Sequence, residues 1–233
     1  MSGEAGGGVG VPELVWYVSY GSNLNRARFI TYIEGGSIPG NRVVHEGCAD
    51  PTPPVDDVPL EVPQSLYFAG WSDRAWGGTA AGFLTLDAQG PPALARAYLI
   101  TAVQFQEVVR QENASVASAD DVHLNIEGAR QRGHVRMLPN GYYSELIWCG
   151  RRDGYPMLSF TASENRTDFG PPSPAYLRMI RSGLQESHGL NTADAVDYLK
   201  DRPGVLGHWT AKQLAEMLRS ETSRPSRVLR SQS

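Results

Sequence analysis

Most strand-like stretches lie before residue 162 and most helix-like stretches after it. A parallel βαβ array needs the two to alternate, so this segregation argues for an α+β domain. At 233 residues the chain is long enough for one domain with a full core. The expected division is a disordered, Gly-rich segment over 1–12, one domain over 13–220 and a loose basic tail over 221–233.

The domain is organised around Val15-Trp16-Tyr17-Val18-Ser19-Tyr20-Gly21-Ser22-Asn23-Leu24. Aromatic and β-branched residues favour a pleated, buried surface, so Val15–Tyr20 reads as a central strand. It breaks at Gly21, where the missing Cβ permits a sharp turn. A helix beginning at Leu24 would aim its free N–H groups at the same place and favour a small anion such as a carboxylate. The alternative is that Asn23 simply caps that helix.

Downstream, Arg26 to Glu34 fits a short helix ended by Gly35-Gly36. Residues 47–64, with five prolines and several aspartates, read as one long surface loop that shapes a binding pocket. Leu66–Gly70, Thr79–Leu86 and Leu94–Ile100 read as strands, and Gln104–Glu112 as a helix. Residues 113–133 are polar and ambiguous. Tyr142–Cys149 and Tyr155–Thr161 form a hairpin around Asp153-Gly154. Ser173-Pro174 opens a helix with Leu177, Ile180 and Leu184 as its buried stripe and Gly189 as its stop. A short helix over Ala193–Lys200 follows, and Thr210 to Gln213 has capping-box spacing for a last helix through Leu218.

The net charge of −4 gives no electrostatic reason to expect nucleic acid or an anionic membrane as partner. No apolar run reaches the length of a membrane span, and the N-terminus lacks a signal core. Cys48 and Cys149 form no CxxC pair, so a reducing cytoplasm is the expected location. The histidines at 45, 123, 134, 188 and 208 have no metal-ligand spacing, and no GxSxG, P-loop or GxGxxG is present. Cys149 paired with a distant histidine is a thiol-nucleophile alternative, opposed by its place inside a strand.

Phe105, Val108, Val109 and Glu112 fall at i, i+3, i+4 and i+7 and share one helix face. Gln104, Glu107 and Gln111 lie on other faces and are expected to meet water. A glutamate finishing an apolar stripe points inward, where desolvation disfavours the charged form and suits it to proton transfer near neutral pH. Two readings stay open, because a residue at a helix end can also bend out to solvent or pair with an arginine.

The string Tyr20-Gly21-Ser22-Asn23-Leu24 resembles the signature of the γ-glutamylcyclotransferase-like family. So does the Trp76-Gly77-Gly78 turn before a strand, and the later helix with Tyr176-Leu177 near its start. The family's acid/base segment, Leu-Asp-x-x-Glu-Gly, is matched at Val108 to Asn113 only in the glutamate, Glu112. The resemblance runs from about Leu14 to about Leu190 and implies a small mixed sheet or partial barrel with flanking helices. It further implies Glu112 as catalytic acid/base, and Tyr20, Gly21, Ser22, Asn23, Leu24, Trp76, Gly77 and Tyr176 as substrate-binding residues. The implied reaction is cleavage of a γ-glutamyl amide, with 5-oxoproline and an amine released and no metal or cofactor expected. The expected partner is a small γ-glutamyl substrate, and a homodimer is the candidate assembly. A non-catalytic small-ligand binder of the same fold is the alternative, and a metal-dependent amidohydrolase a third class.

Overall fold

The computed structural model describes residues 13–38, 43–73, 76–113 and 121–219. The expected N-terminal segment over 1–12 and the tail over 221–233 lie outside them. Strand β1 (Leu14–Ser19) takes the central place in a six-stranded sheet. Its antiparallel neighbour is β5 (Ala93–Thr101), with Tyr17 opposite Tyr98, and its parallel neighbour is β8 (Tyr155–Thr161). The sheet continues outward from β5 to β2 (Asp56–Val62), and from β8 to β7 (Glu145–Arg152) and β6 (His134–Arg136). A separate ribbon pairs β3 (Leu66–Ser72) with β4 (Thr79–Leu84). The sheet is mixed and the class is α+β, with three of the described α-helices set among the strands and three after them.

Successive β1 side chains point to opposite faces. Trp16 and Val18 join a core with β3, β4 and the C-terminal helices α4 (Pro174–His188), α5 (Thr192–Leu199) and α6 (Ala211–Arg219). Val15 and Tyr17 join a second core against α1 (Arg26–Glu34) and α2 (Ala102–Glu112). Burial on both faces explains why Val15–Tyr20 is nearly all apolar rather than alternating. Among the described residues no helix is long and apolar enough to cross a membrane.

Local signals held where they were strongest. Asp153 (φ 51°) and Gly154 (φ 84°) form the two-residue turn between β7 and β8. Ser173 caps α4 by accepting the Tyr176 N–H, and Thr210 exchanges the expected pair of hydrogen bonds with Gln213 ahead of α6.

Two expectations need correction, and one open stretch resolves. Residues 47–64 are not one loop, because Asp56–Val62 is an edge strand on β5. An edge strand tolerates Pro59, whose missing N–H is not needed on the open side. The ambiguous stretch contains α3 (Ile126–Arg132), capped by Asn125, and runs straight into β6. Finally, Gln104 and Gln111 do not face water: they are 2% and 6% exposed. Gln104 Nε2 donates to the Asp50 and Thr52 carbonyls, both at 2.9 Å, and Gln111 Nε2 to those of Tyr32 and Gly47. Glu107 accepts the Ala49 N–H at 3.0 Å. The polar face of α2 thus satisfies the backbone of an irregular segment that would otherwise bury unpaired carbonyls.

Candidate active site

After Tyr20 the chain leaves β1 at Gly21 and makes one 3₁₀ turn, Ser22–Leu24, before α1 begins at Arg26. The cap of α1 is Asn25, which accepts the Arg28 N–H at 2.9 Å, and the Arg26 N–H goes to Glu186. The helix therefore starts at Arg26, as the Arg26–Glu34 reading has it and two residues after the Leu24 start that the anion reading needed, with those amides already engaged. An anion at this loop would not meet an open helix N-terminus, and within the 3₁₀ turn the Leu24 N–H already bonds the Gly21 carbonyl at 3.1 Å and the Ser22 N–H the Tyr176 hydroxyl. Asn23, relieved of any capping role, turns its Nδ2 toward Tyr17 Oη (3.2 Å) and Glu112 Oε1 (3.4 Å).

Glu112 closes α2 from the opposite side. It is half-buried, and its Oε1 accepts the Tyr32 hydroxyl at 2.5 Å. Of the readings left open for this residue, the inward one describes it. An arginine is also involved, but at one remove: Arg28 Nη2 donates to Tyr32 Oη at 2.9 Å. Arg28 itself is 3% exposed and packed over the Tyr32 ring. Its Nη1 donates to Thr31 Oγ1 (3.1 Å) and meets His45 Nε2 at 2.8 Å.

The loop and the carboxylate line one cavity of about 380 Å³. Of the residues singled out in the sequence, Tyr20, Gly21, Ser22, Asn23, Trp76, Glu112 and Tyr176 line it. Leu24 and Gly77 do not. Leu24 is the next residue of the turn and is fully buried in the core that also holds Leu177 and Ile180. Gly77 is exposed and serves the turn into β4, where its φ of 74° suits glycine. No residue of 47–64 lines the cavity; the preceding Val43 and His45 do.

Tyr20 presents its ring only, since its hydroxyl is committed to the Phe160 carbonyl at 2.8 Å. Tyr176, on the first turn of α4, sits 5.9 Å from the Trp76 ring. A Cβ on Gly21 or on Gly82 would each come within 3.0 Å of the Tyr176 hydroxyl. Two glycines from separate elements leave room for one phenol.

Burial pushes the phenols of Tyr17, Tyr32, Tyr143 and Tyr176 above their ordinary range, and the negative charge of Glu112 pushes in the same direction. All four remain protonated at neutral pH and can act as hydrogen-bond donors. Arg28, Tyr32, Tyr143 and His45 were not anticipated. Arg28 and Tyr32 lie four apart on α1 with Phe29 and Ile33, so an arginine inside that helix's buried stripe was the available signal. The thiol alternative loses ground, since burial pushes both cysteine thiols up to about 12, far from thiolate formation.

No family model matches the chain. It is similar to solved gamma-glutamyl cyclotransferases. One such structure shares 14% identity over 88% of this chain and 98% of its own, with a TM-score of 0.47. An uncharacterized protein from Homo sapiens shares 15% over 90% of this chain and all of its own, with a TM-score of 0.45. The chain is also 29% identical over 201 residues to Histone deacetylase 5 of Arabidopsis thaliana. That match covers 79% of this chain but spans 30% of the length of the Arabidopsis protein. The roles assigned below rest on the geometry of this chain's own residues.

Proposed function

We propose that the chain is a γ-glutamylcyclotransferase-like enzyme that opens a γ-glutamyl amide by intramolecular attack. One observation carries the reading: Glu112 and the Gly21–Asn23 turn line the same cavity, joined through the Asn23 amide. The substrate's α-nitrogen attacks its own γ-carbonyl carbon and closes the five-membered ring of 5-oxoproline. The bond from that carbon to the leaving nitrogen then breaks. Nucleophile and electrophile belong to one molecule, so a site that holds it folded gains a large effective molarity. The α-amine is protonated at neutral pH and gives up two protons on the way to the lactam N–H, one before attack and one after the ring closes. The leaving nitrogen gains one before its bond breaks and a second as the free ammonium. Glu112 accepts each from the α-nitrogen and delivers each to the leaving nitrogen in turn. Oε1 already receives the Tyr32 and Asn23 hydrogen bonds, so Oε2 is the oxygen that carries the proton. The Asn23 backbone amide and the phenols of Tyr17 and Tyr176 are available to the α-carboxylate and to charge developing on the γ-oxygen, whereas the Tyr32 proton is given to Glu112 and the Tyr143 proton to the Gly82 carbonyl.

The test is incubation with a panel of γ-glutamyl amides and peptides, following 5-oxoproline and the released amine together. Stoichiometric appearance of both supports the reaction. Binding of a γ-glutamyl compound without any 5-oxoproline would favour the non-catalytic binder.

The Gly21 backbone approach makes a second expectation. Gly21→Val drives a side chain into the Tyr176 hydroxyl, whereas Ser22→Ala removes at most one ligand hydrogen bond, worth roughly 0.5–1.5 kcal/mol. Calorimetric titration should show Gly21→Val weakening ligand binding far more than Ser22→Ala. Small and equal losses would remove the turn from the binding site.

A further inference from the structure

A carboxylate that must collect a proton from one nitrogen and return it to another needs one oxygen fixed and one oxygen free. We propose that Tyr32 is the positioning residue that fixes Glu112, held in turn by Arg28. The role of Tyr32 rests on the acid–base reading of Glu112 above.

The chain of donors has only one direction. A guanidinium nitrogen can only donate, so Arg28 Nη2 occupies a lone pair of Tyr32 Oη at 2.9 Å. The phenol is buried and stays protonated, which leaves its single proton for Glu112 Oε1 at 2.5 Å. Arg28 cannot rotate away, because Nη1 is held by Thr31 and His45. His45 Nε2 must accept from it, so the ring is neutral with its proton on Nδ1. The centroid of the same ring lies 3.9 Å from that of Tyr32, so the two rings pack against each other. Besides these groups, Glu112 is faced by Asn23 from the turn, Tyr17 from β1, Tyr143 ahead of β7 and Tyr176 from α4. Among them, Tyr32 donates at the shortest distance, and only its oxygen receives a hydrogen bond from a full positive charge. A hydrogen bond between charged and neutral partners of this kind both shortens and orients.

Tyr32→Phe keeps the ring and removes the hydroxyl. Losing one hydrogen bond to a charged group predicts a fall in kcat of about 10- to 100-fold, with KM held because the carboxylate does not bind the substrate's scaffold. A spectroscopic readout makes the result independent of turnover. A short O–H···O⁻ bond gives a far-downfield proton resonance, expected in the wild type and lost in both Tyr32→Phe and Glu112→Gln. Should Tyr32→Phe not fold, Arg28→Lys removes the planar donor while keeping the charge, and should lower kcat in the same sense. Unchanged kcat and KM in a folded Tyr32→Phe protein would overturn the proposal. If the wild type makes no 5-oxoproline, the reaction reading fails by itself. The resonance then decides: present and lost in both variants, the fixed carboxylate stands; absent in the wild type, it falls.

Discussion

Glu112→Gln is expected to lower turnover by about 10²–10⁴-fold, the usual contribution of general acid–base catalysis. Glutamine keeps the shape of the side chain and can still accept the Tyr32 hydroxyl at its amide oxygen, so the cavity wall survives. What it loses is the second oxygen's ability to take a proton. Substrate binding should change little, because the Gly21–Asn23 turn and not Glu112 is assigned to holding the substrate. The control is Glu107→Gln, on a different face of the same helix. Glu107 accepts the Ala49 N–H at 3.0 Å, which a glutamine oxygen can still do. Steady-state kinetics on an identified γ-glutamyl substrate separate the cases. Full turnover by Glu112→Gln would sink the mechanism, and a large loss in Glu107→Gln would point to damage to α2 instead of to chemistry.

What the sequence made legible was local. The Asp153-Gly154 turn, the caps at Ser173 and Thr210, and the stop at Gly189 each depend on a few neighbouring residues, and each is formed. β2 was hidden because Pro59 within it and the prolines on either side speak against a strand, and only pairing with β5 makes Pro59 acceptable at an edge. The polar face of α2 illustrates a second limit. Periodicity says which face of a helix is apolar, yet Gln104 and Gln111 are buried against carbonyls of a segment far along the chain. Amphipathic pattern carries no information about a polar partner that is irregular backbone.

The site divides along the same line. Glu112 was legible as a charged residue completing the Phe105, Val108, Val109 stripe, and Tyr20–Asn23 through a recognisable string. Leu24 belongs to that string but faces the core, a distinction only the 3₁₀ turn establishes. Arg28 and Tyr32 carry no such string. Their importance arises from α1 packing beside α2, which places Tyr32 within reach of a carboxylate eighty positions away. Long-range pairing of that kind leaves no trace in spacing.

Gly183 tests whether that turn is held from behind. It lies in α4 between Ile180 and Leu184, away from the cavity lining. A Cβ there would come within 2.4 Å of Leu24 Cβ and 2.5 Å of the Asn25 nitrogen. Helix propensity alone favours alanine over glycine by about 1 kcal/mol. Overpacking costs about 1–3 kcal/mol and occasionally more, and backbone atoms at 2.5 Å give way poorly, so the upper end applies. The net expectation for Gly183→Ala is a loss of about 2 kcal/mol, or a melting temperature lower by roughly 4–8 °C for a domain of this size. Turnover should fall with it. α4 grips Asn25 through Ser182 and Glu186, and Arg96 holds both Glu186 and the Leu24 carbonyl. Pushing Leu24 and Asn25 away therefore shifts the turn that carries Ser22 and Asn23, and loosens the cap of the helix that carries Arg28 and Tyr32. A thermal melt and a kcat/KM measurement on one preparation suffice. If Gly183→Ala melts higher than the wild type with full activity, helix propensity has outweighed packing and α4 is not the clamp on this turn.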